Sequence, residues 1–162
     1  MKHIDLTRDK QAIVDDSDYP FISQFNWHLM GKTNGHHYAQ AFINGKKVSM
    51  HRLILGAPKG VDTDHRNHDG LDNRRDNLRL CTRSQNIQNQ KPRNHCKSSQ
   101  YKGVYRSKEY EKWQAYIKLN RVRYCLGSYA DEDVAALVYN FAAIVLFGEF
   151  ACLNVVKGNG NQ

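Results

Sequence analysis

A polar segment at residues 87–100 constrains the fold more than any other feature of this chain. It holds Pro92 and three Lys or Arg residues, no acidic residue and almost no apolar side chain. Because such a stretch adds little to a packed core, the 162 residues divide into two parts, each close to the minimum size of an independent domain. We therefore predict two small domains joined by a basic linker at residues 91–100. Its cations, Arg93 among them, suit a segment that follows a phosphate backbone, and an inert tether is the alternative.

The net charge and the cysteines narrow the class of protein. The 24 Lys and Arg residues outnumber the 16 Asp and Glu residues, for a net charge of +8 and a pI near 9.4. This balance favours a polyanionic partner such as double-stranded DNA over a small-molecule substrate. The cysteines at positions 81, 96, 125 and 152 form no Cys-x-x-Cys pair, which is typical of reduced intracellular thiols.

The N-terminus carries no apolar leader, and no stretch approaches the roughly 18 apolar residues of a membrane span. The sequence therefore predicts a cytoplasmic protein, in the host cell if the gene is phage-encoded, without a membrane partner.

Residues 1–50 contain short alternating apolar runs separated by Asn-Gly turns. Runs of this kind at Tyr38–Ile43 and Lys47–Met50, with Asn44-Gly45 between them, predict small antiparallel hairpins. One or two helical turns are expected from His51 to Leu55, because Gly56 and Pro58 follow.

The densest chemistry lies in residues 61–86. The pattern predicts a short strand ending at Asp64-His65, a polar loop, a second strand at Leu78–Cys81 and a helix with Thr82 as its N-cap. Together these elements make a ββα unit, and the nuclease segment is expected to span residues 51–90.

Three of these side chains supply the groups needed to hydrolyse a phosphodiester. The reaction needs a base for the attacking water and a cation at the scissile phosphate, held by oxygen ligands. His65 can act as the base near neutral pH. Asp64 and Asn86 offer carboxylate and amide oxygens, which suit Mg²⁺ or Mn²⁺ better than zinc.

The same segment resembles the HNH endonucleases of phage and intron homing type, within the His-Me finger group. The resemblance rests on Asp64-His65, on the run from Asp72 to Arg79 and on Ser84-Gln85-Asn86, in that order. It implies that His65 is the general base, that Asp64 and Asn86 bind the metal, and that Asn77 is the middle Asn that pins the loop. Asn86 stands where the family name has its last His. His51-Arg52 resembles the lead-in of the family, which leaves Arg52 either a phosphate contact or a structural support.

The C-terminal part reads as three strands followed by a helix. Strand-like runs lie around Val104–Arg106, Trp113–Leu119 and Arg123–Leu126, and a nearly all-apolar helix is expected from Asp131 to Phe147. Residues 101–125 carry seven Lys or Arg and two Glu, whereas residues 126–150 carry four acids and no Lys or Arg. The sheet rather than the helix is therefore expected to face the polyanion.

Residues 101–156 resemble the ethylene-response-factor domain of plants, also called the Apetala-two domain, through Tyr101–Tyr105, Lys112–Ile117 and Leu126–Tyr129. The resemblance implies a three-stranded antiparallel sheet that lies in the major groove and is backed by the helix. For Trp113, core packing is as good an interpretation as DNA contact. The positions that match the DNA contacts of that family are Lys102, Arg106, Trp113, Lys118 and Arg123.

These expectations define an α+β protein with a β-rich lead-in at residues 1–50 and a disordered tail at 157–162. The predicted function is site-specific DNA cleavage, by a monomer or weak homodimer. A DNA-binding phage regulator without catalysis is the alternative, and an RNA-directed nuclease is a weaker one, because a flat basic sheet suits B-form DNA more than A-form RNA.

Overall fold

A computed structural model of the protein describes residues 1–31, 37–92, 98–109 and 111–156. The chain forms two compact units, Met1–Asn86 and Ile87–Gln162, with mixed helices and small antiparallel sheets, in agreement with the α+β class. The predicted Asn34-Gly35 turn, the linker residue Arg93 and the tail at 157–162 lie outside the described residues.

The first unit consists of three small antiparallel sheets and short helices. The predicted hairpin and the two strands of the ββα segment are confirmed within one or two residues at each end. Three elements were missed in the sequence: the strand Lys2–Leu6, where apolar and polar residues alternate over only five positions, the three-residue strand His28–Met30, and a four-residue helix that begins next to Pro20. In chain order the elements are β1 (Lys2–Leu6), β2 (Lys10–Val14), α1 (Tyr19–Ile22), β3 (His28–Met30), β4 (Tyr38–Ile43), β5 (Lys46–Ser49), α2 (Met50–Ile54), β6 (Asp62–His65), β7 (Leu78–Cys81) and α3 (Arg83–Asn89), which runs across the boundary into the second unit.

One hydrophobic core serves the whole of the first unit. Side chains of β1 and β2, such as Ile4 and Val14, are buried together with Met50 and Ile54 of α2 and with Leu78 of β7. Residues 1–50 and the segment after them therefore share one core.

The helix α3 begins with a reciprocal cap. The Gln85 backbone N–H donates to Thr82 Oγ1 at 3.2 Å, and the Thr82 N–H donates to Gln85 Oε1 at 2.8 Å. This arrangement satisfies donors that the first turn of a helix leaves without partners. Thr82 is thus the N-cap that the sequence predicted.

The second unit is a three-stranded antiparallel sheet packed on one helix. The strands are β8 (Val104–Arg106), β9 (Trp113–Leu119) and β10 (Val122–Tyr129), in the order β10-β9-β8, and α4 (Glu132–Phe147) follows, then a 3₁₀ helix at Gly148–Phe150. Asp131 caps α4 by accepting from the N–H groups of Asp133 and Val134 at 2.6 and 3.1 Å. Gly148 ends the helix with φ of 54°, a conformation that favours glycine.

Helix α4 corrects one sequence expectation. Extended to Glu132–Phe150, it is long and apolar enough to cross a membrane by length and composition, although the sequence was read as having no stretch close to that size. About a third of that stretch is buried, and the buried side includes Ala135, Tyr139 and Ala143, which pack on the sheet. Core helices of soluble proteins reach the same length and apolar composition, so these two properties do not assign α4 to a membrane.

Candidate active site and nucleic-acid interface

The strands β6 and β7 bring the predicted catalytic residues to one end of a hairpin. In their antiparallel register Asp64 lies opposite Arg79, and His65 lies opposite Leu78. The Arg66 N–H donates to the Asn77 carbonyl at 2.9 Å and closes the ladder just beyond His65. The loop between the strands, residues 66–77, is therefore fixed at both ends next to the two catalytic candidates.

Asn77 holds this loop from inside. Its Nδ2 donates to the Asp72 carbonyl at 2.7 Å, and its Oδ1 accepts from the Asn67 N–H at 3.0 Å. Both bonds run from side chain to backbone, and Asn77 is buried. This geometry is the loop-pinning arrangement that the resemblance implied for Asn77.

The N-terminal hairpin braces the same loop. The Ile13 N–H donates to the Leu71 carbonyl, and the Asn73 N–H donates to the Ile13 carbonyl, both at 2.8 Å. The Arg75 guanidinium forms an ion pair with Asp18 at 2.7 Å. Because these partners are far apart in sequence, no local pattern could have revealed that β2 supports the site.

His65 is buried and enclosed by polar and aromatic groups. Its Nε2 lies 3.5 Å from Asn73 Oδ1, and its ring centroid lies 4.9 Å from that of His51 and 5.8 Å from that of Tyr38. Burial lowers the pKa of His65, while Asn73 and the carboxylates of Asp64, Asp69 and Asp72 act in the opposite direction. The net direction keeps the imidazole neutral at physiological pH, which is the form able to accept a proton.

His51 is a second buried imidazole that the sequence analysis placed only in the lead-in. Burial, together with the charges of His65 and Arg52, lowers its pKa to about 3. Its Nδ1 is buried and makes no hydrogen bond to the described residues. A neutral His51 adds no positive charge beside His65, so it does not oppose proton uptake there.

Gly70 allows the loop to approach this cluster. A Cβ at position 70 would lie 2.6 Å from Cδ1 of the Tyr38 ring, closer than carbon atoms pack. Tyr38 in turn lies 5.6 Å from His51, ring centroid to centroid. Glycine is thus needed where the loop passes the aromatic wall of the site.

The two predicted metal ligands, Asp64 and Asn86, each bond to another side chain of the protein. Asp64 Oδ2 accepts from Arg79 Nε and Nη2 at 2.9 and 2.7 Å, and both side chains are buried. The Nδ2 of Asn86 donates to Asp62 Oδ2 at 3.2 Å. Asp62 was not singled out in the sequence, yet it lies two residues from Asp64, on the same face of β6.

The thiol of Cys81 lies close enough to Asp64 and Asp62 for their charges to act on its pKa. Burial and the charges of Asp64 and then Asp62 raise the pKa of Cys81 to about 11, so the thiol stays protonated and is a poor metal ligand. The donor set is therefore carboxylate and amide oxygen, which fits a hard divalent ion that keeps several waters. Within the described residues no group of three or more His, Cys, Asp and Glu side chains is close enough to hold a metal.

Arg52, one of the predicted DNA contacts, is engaged inside the protein. Its guanidinium donates to the carbonyls of Val61, Ala57 and Pro58 at 2.7, 3.3 and 3.0 Å. These bonds tie α2 to the segment that enters β6. They favour structural support over phosphate contact, and a DNA contact stays a prediction.

Comparison with known proteins bears directly on this region. A family model described as HNH endonuclease matches residues 50–88, the stretch from α2 to α3 that holds all of the predicted catalytic and metal-binding residues. An uncharacterized HNH endonuclease of Acanthamoeba polyphaga mimivirus is 32% identical over 151 residues, which cover 90% of this chain and 75% of that protein. The chain belongs to the HNH endonuclease family.

As an HNH endonuclease the protein is a nuclease, and its family implies a DNA substrate. The family model ends at residue 88, before the second unit begins its sheet. The Apetala-two resemblance of residues 101–156 and a phage origin therefore stay predictions.

The second unit of this HNH endonuclease carries a surface of stacked arginine and tyrosine, which we call the Arg-Tyr face. The guanidinium of Arg123 lies 3.8 Å from the centroid of the Tyr116 ring and 4.8 Å from that of Tyr105. Lys118 lies opposite Arg123 in the β9-β10 register, so the two cations share one side of the sheet. Burial of Ala115 and Ile117 puts α4 on the other side.

Two predicted DNA contacts lie on the opposite side from the Arg-Tyr face. Arg106 pairs with Trp113, and both have the strand parity of buried Val104 and Ala115. Trp113 packs on the core beside α4, which supports the packing interpretation, and Arg106 lies 5.7 Å from its ring centroid. Arg106 and Arg123, two of the predicted DNA contacts, therefore lie on opposite sides of the sheet, and base contact by either stays a prediction.

Lys102 is also engaged within the second unit. Its ammonium donates to the carbonyls of Gln88 and Gln90 at 2.5 and 2.7 Å, and burial lowers its pKa. A lysine with two carbonyl partners is poorly placed for phosphates. Of the five predicted contacts in this unit, Lys118 and Arg123 are brought together on the Arg-Tyr face.

Proposed function

We propose that the protein is a site-specific, metal-dependent DNA endonuclease of the homing type. The observation that carries this proposal is the buried imidazole of His65 on β6, the strand that also bears the carboxylates of Asp62 and Asp64. A proton acceptor and hard oxygen ligands on one short strand are the minimum set for hydrolysing a phosphodiester.

In the proposed reaction His65 accepts a proton from the attacking water. Asn73 and the rings of Tyr38 and His51 keep its imidazole in one orientation, so little reorganisation is needed when the proton arrives. Asp64 and Asn86, with Asp62 as an added candidate, would hold Mg²⁺ or Mn²⁺. Such an ion stabilises negative charge on the scissile phosphate and on the departing oxygen.

Sequence preference is assigned to the Arg-Tyr face. Arg123 is held by stacking on Tyr116, which restricts the guanidinium without using its hydrogen-bond donors. A guanidinium prepared in this way can meet two acceptors on a guanine edge, whereas Lys118 supplies a charge that any phosphate satisfies.

A plasmid assay tests the proposal. Purified full-length protein is incubated in Mg²⁺ with a supercoiled plasmid that carries DNA from the genome encoding the protein. A parallel sample contains EDTA. A monomer with one active site should produce nicked circles, while linear product would indicate paired action by two copies. The product should be absent with EDTA and absent for His65→Ala in Mg²⁺.

The alternative function is defined by the same assay. Tight DNA binding with no cleavage by the wild type in Mg²⁺ or Mn²⁺ would overturn the proposed reaction and favour the non-catalytic DNA-binding regulator. Location in the cytoplasm remains part of the proposal and is tested by fractionating cells that express the protein.

A further inference from the structure

The buried amide of Asn73, which helps to orient His65, also contacts one particular nitrogen of its ring. Asn73 is fully buried, and its Oδ1 lies 3.5 Å from Nε2 of His65. Asn77, the residue predicted to pin the loop, uses the two side-chain bonds described above on backbone groups of that loop. Asn73 contacts the imidazole itself.

The orientation of the Asn73 amide is fixed by its other contacts. Its Nδ2 donates to the Leu71 carbonyl at 3.0 Å, so the oxygen is the end that faces His65. The Asn73 backbone N–H donates to the Ile13 carbonyl at 2.8 Å, and the Ile13 N–H donates to Leu71. Two backbone hydrogen bonds of Ile13 in β2 thus hold the segment in which Asn73 presents an acceptor to the imidazole.

An amide oxygen accepts hydrogen bonds and cannot donate them. A neutral His65 satisfies Asn73 Oδ1 only when its proton is on Nε2, which leaves the lone pair on Nδ1. The opposite tautomer would bring two lone pairs together in a buried site, an arrangement that costs free energy because neither atom has water as a substitute partner.

We propose that Asn73 is a positioning residue that selects the Nε2–H tautomer of His65, and so makes Nδ1 the atom that takes the proton from water. This inference rests on the proposed function for its catalytic meaning, but the tautomer is a property of the free protein. Proton transfer is balanced: Nδ1 gains the proton of the water, Nε2 keeps its own, and the imidazolium that results still donates to Asn73.

Long-range ¹H–¹⁵N correlation spectra of the full chain with ¹⁵N-labelled histidine test the tautomer directly. At about pH 8, where histidine is neutral, His65 should show the pattern of the Nε2–H tautomer, with its signals identified by their loss in His65→Gln. Free imidazoles already prefer this tautomer, so a second measurement is needed to detect the bond to Asn73. If that bond is present, the Nε2 proton should exchange slowly with water. An Nδ1–H pattern in the wild type would overturn the proposal, whether or not the protein cleaves DNA.

Two substitutions separate positioning from fold. Asn73→Ala removes the acceptor, and we expect fast exchange of the Nε2 proton and a kcat about tenfold lower with unchanged KM. Asn73→Asp loses the bond to the Leu71 carbonyl but keeps an acceptor oxygen beside Nε2, so exchange of the Nε2 proton should stay slow. Trp27 emission in a Trp113→Phe background reports whether each variant is folded, and if Asn73→Ala unfolds, the wild-type spectrum and Asn73→Asp still decide. A folded Asn73→Ala with wild-type exchange and kcat would overturn the proposal.

Discussion

The site around His65 and the Arg-Tyr face are built in opposite ways. At the site, His65, Asn73, Asp64 and Arg79 are all buried and held by hydrogen bonds, an ion pair and ring contacts. On the Arg-Tyr face, Arg123 is exposed and is held mainly by stacking on tyrosine rings. A buried polar group that loses its partner has no water to replace it, whereas an exposed group does. Substitutions in the first region should therefore have large effects and those in the second graded ones.

The largest effect is expected at the buried ion pair. Arg79→Met leaves the Asp64 carboxylate buried without its partner, and we expect a loss of about 3–5 kcal/mol in the free energy of unfolding of the first unit. The reporter is Trp27 emission in a Trp113→Phe background, since the chain has two tryptophans, one in each unit.

The control for this change is Arg83→Met. Arg83 pairs with Asp62 at 3.3 Å, but its side chain is 77% exposed, so its removal should cost at most about 1 kcal/mol. The double variant Asp64→Asn/Arg79→Met should recover much of the lost stability. Equal losses for Arg79→Met and Arg83→Met would remove the contrast between buried and exposed charge.

The next effect concerns the proposed base. His65→Ala should reduce single-turnover cleavage by about 10²–10⁴-fold, because general base catalysis contributes in that range. DNA affinity, measured by fluorescence anisotropy, should stay within a few-fold, since His65 is buried. His3→Ala, which changes an exposed residue of β1, is the matched control and should cleave like the wild type. Wild-type cleavage by His65→Ala would place the base elsewhere.

The pH dependence of stability tests the buried imidazole of His51. Its pKa is about 3 in the folded state and about 6.5 when unfolded, so the unfolded state binds the proton first as pH falls. The stabilisation is complete above pH 6.5 and declines toward pH 3, by about 2 kcal/mol at pH 5. His65 acts in the same direction, and Arg52 and Tyr38 are the other groups that face His51. In His51→Leu this decline should be smaller, and an unchanged acid profile would contradict the assignment.

Smaller effects are expected on the Arg-Tyr face. Arg123→Ala should weaken binding to the preferred site about tenfold and leave scrambled duplex nearly unaffected, because a bidentate base contact is lost. Lys118→Ala should weaken both duplexes alike and lower the slope of log K against log salt by about one unit. Titrations at two salt concentrations distinguish the two. Equal losses on both duplexes for Arg123→Ala would mean that this face binds only the backbone.

Local signals explain what the sequence could predict. The strands β4, β6 and β7, the cap at Thr82 and the helix α4 all follow from periodicity, turn residues or capping chemistry within a few positions. These signals located the segment from His51 to Asn86, and the comparison with known proteins supports its family.

Long-range contacts explain what the sequence could not predict. Asn73 owes its role to β2, 60 residues earlier in the chain, and the partner of Asp64 lies across a hairpin. The contact of Asn86 with Asp62 rather than with Asp64 depends on where α3 lies along β6. The separation of Arg106 from Arg123 depends on strand register, which a single run of residues does not reveal.

The central claim is that one unit cuts and the other chooses where. It is tested most directly by sequencing the cut ends that full-length wild type and full-length Arg123→Ala leave on the same genomic DNA in Mg²⁺. The account predicts ends clustered at few positions for the wild type, and ends spread over many positions for Arg123→Ala at a similar cleavage rate on non-specific DNA. Identical clusters for both proteins would contradict it, because sequence choice would then come from the first unit.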